Sequence, residues 1–426
     1  MNKFFSKITD FLKKLFKNIG LWFKNIFLWF KNFGTNWKKF KKTDAFKSIS
    51  GALLAIGIGL LAGILLMFLI NPSGAFTGIG RLLSGSFNHP KGGWIGFASM
   101  LYRATPLIFT GLAVAFAFKT GLFNIGASGQ FTVGLFAALL VAVLGDKLGP
   151  FQWLVAVLVG MVAGFLWGAI PGFFKARHNV HEVITSIMFN YIGMFIVNGL
   201  LKSNLLAASL VDGTTNRTVR VDQNARTSYW FFDDLFPNTG LDVSFIIAIF
   251  TAIIIYVVLN KTVFGRELKS VGLNRHAAKY AGVNEKKSII LSMAISGMLA
   301  GLGGALFILA PSVRNLGNAY AMENVLVSEG FDGIPVALLA SSHPIGVIFS
   351  TIFVGYIQYS GLSMQSSGFV LEIVKIIIAI ILYFSAFALI MTQNFGKAKD
   401  FFNKFKRKKP DDKEDIEETT VKEDDQ

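Results

Sequence analysis

The chain has 426 residues, 53% of them hydrophobic and only 15% charged, with a net charge of +16 and no Cys. Soluble proteins carry about 25% charged residues, so this composition excludes an ordinary soluble enzyme and marks an integral membrane protein. Without Cys there is no disulfide, thiolate nucleophile or thiolate-held metal, and the five scattered His, of which only His178 and His181 lie close, do not predict a metal site.

The positive charge is concentrated at the start, where residues 1–48 hold twelve Lys against Asp10 and Asp44. Lys interrupts the apolar residues every few positions, unlike a secretory signal. From Leu15 to Lys42 four heptads repeat: Phe16, Phe23, Phe30 and Trp37 share one position, and Ile19, Ile26, Phe33 and Phe40 follow three residues later. Such spacing places aromatics on one helical face and Lys elsewhere. Residues 1–48 are therefore expected to form a basic aromatic amphipathic helix lying on membrane lipids.

Spanning segments follow at Ile49–Ile70, Leu107–Phe118, Phe131–Leu144, Phe151–Phe174, Val183–Leu201, Val243–Leu259, Ser288–Ala310, Ile334–Ala340, Ile345–Tyr359 and Phe369–Met391. A bilayer core needs about 20 apolar residues per helix. The expected fold class is all-α: a polytopic membrane helix bundle of about ten transmembrane helices in two related halves, over residues 49–395. Lys175 and Arg177, the basic loop 260–287 and the Lys/Arg cluster after Gly396 should face the cytoplasm. Both termini are then cytoplasmic, and residues 202–242, with mixed charge, face outside. The tail 396–426 is basic, then acidic with few apolar groups, and is expected to be partly disordered.

Glycines four apart (Gly59 and Gly63; Gly160, Gly164 and Gly168; Gly297 and Gly301) predict close helix contacts. Two segments are broken. "GLFNIGASGQ" (121–130) and "EGFDGIPVALLASSHPIG" (329–346) each set a Gly-rich polar interruption beside short apolar pieces. Irregular backbone at membrane depth survives only inside protein or along a cavity, and paired breaks in two halves point to a transport site. The alternative is a pair of turns at the water boundary. Glu372 and Lys375, three apart, are expected to neutralise each other.

The tetrad Gly126-Ala127-Ser128-Gly129 admits an intramembrane serine protease, with Ser128 activated by a His such as His343. An ion-coupled secondary carrier is a second alternative.

Within loop 260–287, Asn274 suits a helix N-cap and Gly282 a helix stop. The few residues between them are too short to be stable alone, so a docking element is expected. No P-loop accompanies it: Gly396-Lys397 lacks the earlier Gly. If ATP drives this protein, another chain must bind it.

Four stretches in order, "GLFNIGASGQF", "HEVITSIMFNYI" (181–192), "ELKSVGLNRHAAKYAGV" and "EGFDGIPVALLASSHPIG", together resemble the permease subunits of bacterial nucleoside-type ABC importers, within the ribose and branched-chain amino acid permease group. The likeness covers about residues 50–395; Ser341-Ser342-His343 departs from it. It implies a bacterial cell-membrane permease subunit that translocates a nucleoside or a related sugar-containing solute. The implied partners are an extracellular substrate-binding lipoprotein, a second permease chain that is related but different, and cytoplasmic ATPase subunits. It implies no nucleic acid, no cofactor bound by this chain, and ATP with Mg on the ATPase. Asn274, Arg275, His276, Ala277, Ala278, Lys279, Tyr280, Ala281 and Gly282 would form the coupling element. Phe123, Asn124, Gln130, Asn190, Glu329, Phe331 and Asp332 would line the pathway, since amides and carboxylates pair with hydroxyls and ring amides while Phe offers a stacking face.

Overall fold

The computed structural model describes residues 44–204, 206–312 and 317–384. The heptad segment up to residue 43, the tail 396–426 and the end of the last expected span lie outside the described residues. The chain divides into two compact units, residues 52–386 and residues 1–51 with 387–426. Of the latter, the described residues are the first turns of helix α1 (Asp44–Ile70).

The other helices belong to the larger unit. Asn71, whose Oδ1 accepts the Gly74 amide, and Pro72 at the first helical position start α2 (Pro72–Ser84). Then come α3 (Gly93–Phe118), α4 (Ala127–Leu144), α5 (Gln152–His178), α6 (Glu182–Leu201) and α7 (Val243–Lys261). Two short helices follow, α8 (Val263–Leu273) and α9 (Arg275–Tyr280). The rest are α10 (Glu285–Leu309), α11 (Ser328–Leu339), α12 (Pro344–Met364) and α13 over 371–384. Seven of them, α3 to α7, α10 and α12, are long and apolar enough to cross a membrane. No strand forms among the described residues.

Helix α10 is the centre, packed on α5, α4 and α3 and buried along most of its length. The glycine faces make this possible. A Cβ on Gly168 would stand 2.8 Å from Gly297 Cα, and one on Gly164 would stand 2.8 Å from Gly301 Cα. Between membrane helices there is no hydrophobic gain to exploit, so backbone approach through small residues supplies the dispersion contact. Gly63 of α1 similarly meets Ile377 of α13.

Three expected spans change their bounds. Leu107–Phe118 is the second half of the 26-residue α3, which continues back through Pro106 to Gly93. Tyr102, Arg103 and Thr105 lower the hydropathy of its first half; there Thr105 is buried and donates to the Leu101 carbonyl, Tyr102 is half-buried and bonded to Asn318, and Arg103 is exposed. Ile334–Ala340 is the end of the 12-residue α11. Phe131–Leu144 starts earlier, at Ala127, so that Ala127, Ser128 and Gly129 form the first turn of α4 behind Gly126 at its N-cap.

The bundle has a basic end, formed by α8, α9 and residues 119–126. There Ala117, Leu122, Ala176, Val271, Ala278, Ile289 and Met293 form one apolar cluster. Asn274 caps α9, its Oδ1 accepting the Ala277 amide at 3.0 Å. Gly282 ends it at φ 82°, with the Val283 amide donating to the Ala278 carbonyl and that of Gly282 to Lys279. Arg275 holds Glu285 at 2.6 Å and so ties α9 to the start of α10. At the opposite end, residues 206–242 and 317–327 cross-link: the Thr218 amide donates to the Tyr320 carbonyl, and Tyr320 Oη donates to Asn198 Oδ1 at 3.1 Å.

Candidate functional site

Helix α11 is seated by two hydroxyls. Ser128 Oγ donates to the Val327 carbonyl at 2.8 Å and Thr110 Oγ to the Glu329 carbonyl at 2.9 Å. Gly330 lies against the Ser128 backbone and Gly333 against Thr110. These contacts bring α11 onto α3 and α4 with one defined rotation, and that rotation points Glu329 and Asp332, three residues apart, into a cavity.

The cavity encloses about 690 Å³ between α3, α10, α11, α12 and α13. From α3 it takes Tyr102 and Arg103, from α10 Phe307, from α12 Gln358 and from α13 Lys375. Gln358 Nε2 donates to Asp332 Oδ2 at 3.2 Å. Tyr102 Oη and the Asn318 side chain bond to each other at 2.9–3.1 Å, and Asn318 Nδ2 also donates to the Phe307 carbonyl at 2.7 Å. The wall toward the 206–242 end includes Arg220 and Asp242. Asp242 is buried and accepts from the hydroxyls of Ser244 and Thr227. Burial lifts its carboxyl to about 6, against these hydrogen bonds, which oppose the rise.

The other residues singled out in the sequence lie elsewhere. Asn124, Gln130 and Asn190 are buried and bonded within the protein. Asn124 Nδ2 donates to Gln130 Oε1 at 2.8 Å and to Ser296 Oγ at 2.7 Å, while Asn124 Oδ1 accepts from the Gly126 amide. Asn190 reaches across from α6, accepting from the Gly129 amide and donating to the Ile125 carbonyl. The first interruption is thus a turn sewn by its own amides and by α6 and α10. Phe123 stacks on Phe118 at 5.2 Å near the basic end. Phe331 is not among the residues that line the cavity.

The structure separates Ser128 from the histidines. Its hydroxyl serves Val327, whereas His343 Nδ1 accepts from the Gly346 amide at 3.3 Å and its ring faces Tyr256. Among the described residues Ser128 and His343 are bonded to different groups and not to each other, as a Ser–His nucleophile would require. Glu372 and Lys375 do not form an ion pair within 4.0 Å among the described residues; Lys375 borders the cavity instead. At the basic end, Lys119 Nζ donates to the Ser341 carbonyl at 3.4 Å, joining the two interrupted segments. Burial, then neighbouring Lys269, holds the Lys119 ammonium below its usual value; burial, then Lys119, does the same for His343.

Sequence reasoning missed Tyr102, Arg103, Asn318 and Gln358, and read Lys375 as the neutralised partner of Glu372. For Arg103 a signal existed: an ionisable residue inside an apolar run. Tyr102, Asn318 and Gln358 had none.

Residues 96–386 match the profile of a family described as branched-chain amino acid transport system / permease component. The chain is 37% identical to the guanosine ABC transporter permease protein NupP of Bacillus subtilis (strain 168), over 82% of this chain and 95% of that protein. It is 35% identical to the nucleoside ABC transporter permease protein NupB of Lactococcus lactis subsp. cremoris (strain MG1363), over 82% of this chain and 93% of that one. The glucose ABC transporter permease protein TsgB13 of Haloferax volcanii is 32% identical over 68% of this chain and 75% of its own. No solved structure matches the chain.

Proposed function

Because the chain belongs to the branched-chain amino acid transport system / permease component family, we propose that it is the membrane permease of an ABC importer for nucleosides. The observation that carries this reading is the near full-length likeness to the guanosine and nucleoside permeases. The cavity supports it: about 690 Å³ lined by carboxylates, basic groups, two amides and aromatic side chains has room for a ribose-bearing base.

In this reading an extracellular lipoprotein delivers the solute at the 206–242 end, and the path runs past Glu329 and Asp332. Phe123, Asn124, Gln130, Asn190 and Phe331 act around that path, the amides by holding the first interruption closed against α6 and α10. Counting α1, α11 and α13 with the seven long helices gives ten crossings, α11 being partial, and both termini lie on the cytoplasmic side with α8 and α9. ATP and Mg²⁺ are bound by partner ATPases, which grip the α9 region from Asn274 to Gly282. The near-complete exposure of Tyr280 (94%) and Leu273 (89%), which bracket the capped α9, supports a partner there. A second, different permease chain completes the pore.

The test is reconstitution. Proteoliposomes holding this chain, its partner permease, the ATPases and the lipoprotein should take up labelled nucleoside only with ATP inside and lipoprotein outside. Uptake by this chain alone on an ion gradient would replace the importer with a secondary carrier.

A further inference from the structure

Asp332 differs from every other acidic group of the cavity in being held by a neutral amide. Gln358 Nε2 occupies Oδ2, and Gly333, locked against Thr110, fixes the turn of α11 that carries the carboxylate. Both Asp332 and Gln358 line the cavity, and a carboxylate and a primary amide each keep hydrogen-bonding capacity beyond their one mutual bond. Glu329 stands one turn earlier on the same wall, and Phe307 presents a half-buried ring to the same space.

A carboxylate only accepts hydrogen bonds, and an amide N–H only donates. Base edges mix donors and acceptors, and the mixture differs from one base to the next. A carboxylate facing a ring nitrogen lone pair is repelled by it. The ribose cis-diol is the one part of every ribonucleoside that offers two adjacent O–H donors, each with an oxygen that can also accept. We propose that Asp332 reads the ribose cis-diol, and that Gln358 is the positioning residue that turns the carboxylate toward it and donates its remaining N–H to a hydroxyl oxygen. This rests on the nucleoside reading above and goes beyond it: the permease itself, not only the delivering lipoprotein, selects ribonucleosides over deoxynucleosides.

The experiment compares uptake of labelled guanosine, 2′-deoxyguanosine and 3′-deoxyguanosine by the full transporter, in cells without other nucleoside carriers, normalised to transporter in the membrane. All other components stay constant, so a changed preference belongs to this chain. Wild type should favour guanosine by about tenfold in KM, the scale of one hydrogen bond to a charged group. Asp332→Asn, which is isosteric, should raise KM for guanosine about tenfold and leave the deoxynucleosides within about twofold, so that the preference collapses. Gln358→Met, of similar shape, should raise KM for guanosine with kcat unchanged and narrow the preference partway.

A wild type without preference overturns the proposal. So does a preference that survives Asp332→Asn, or an equal loss of all three solutes in both variants at normal membrane abundance, which would mark a structural role. Absence of uptake of all three by wild type brings down the nucleoside reading itself.

Discussion

Asn190 Oδ1 accepts the Gly129 amide at 2.8 Å, while Asn190 Nδ2 donates to the Ile125 carbonyl at 2.9 Å. One side chain of α6 thereby satisfies both sides of the turn that starts α4. The first four amides of a helix have no intrahelical acceptor, and Gly126 at the N-cap has no side chain to supply one. Asn190→Leu should orphan both groups, at about 1–3 kcal/mol each. A clear fall in the thermal midpoint of the detergent-purified protein is expected. A midpoint within about 1 °C of wild type would mean that the turn is held by Asn124 and Ser296 alone.

The α5–α10 seam leaves no room for a methyl group. Gly164→Ala puts a Cβ against the Gly297 carbonyl and Gly301 Cα, and overpacking of this kind costs about 1–3 kcal/mol. Gly199→Ala, where nothing lies within 4 Å, is the control. Size-exclusion profiles should show less monodisperse protein for the first and no change for the second. Equal yields would show that the helices can part without cost.

At the basic end, two neighbouring positions should fail in different ways. Tyr280 is exposed and Ala278 buried against the cluster of Leu122, Val271 and Met293. Tyr280→Ala should leave the melting midpoint intact and reduce co-purification of the ATPase. Ala278→Asp should lower the midpoint and uncouple ATP hydrolysis from uptake, because it places a charge in the apolar base of α9. Normal ATPase capture by Tyr280→Ala would move the docking surface away from this helix.

The natural absence of Cys allows direct probing of the cavity. A Cys at Glu329 should react with a charged thiol reagent and be protected by nucleoside. A Cys at Asn124, a fully buried site, should stay unlabelled under both conditions. Labelling at Asn124 that nucleoside blocks would extend the pathway through the first interruption.

Asp242 predicts a pH dependence. Burial raises its carboxyl from 3.8 to about 6 in the fold. Between those values the unfolded chain binds fewer protons than the folded one, so stability falls as pH rises from about 4 to about 6 and is level above that. The loss is about 3 kcal/mol at most. The thermal midpoint should be lower at pH 7 than at pH 4.5, and Asp242→Asn should shrink the difference. An identical pH response in the variant would assign the effect to other groups.

Much of this protein is local in origin and legible in the chain itself. Hydropathy determined that it lives in a membrane and roughly where its helices run. Asn274 and Gly282 determined the ends of α9, because capping involves only groups a few residues apart. Glycines at fourfold spacing determined which faces could meet closely. Tertiary structure alone decided which polar groups are spent on the fold and which line the cavity. Asn124, Gln130 and Asn190 look as apt for a pathway as Glu329 and Asp332, yet they satisfy one another and the backbone. Gln358 finds Asp332 from 26 positions away, and Tyr102 finds Asn318 from 216. The reason is physical. Lipid and protein interior are equally apolar to a helix surface, so periodicity cannot tell the face that meets lipid from the face that meets a neighbour, and the cavity exists only once five distant helices have closed around it.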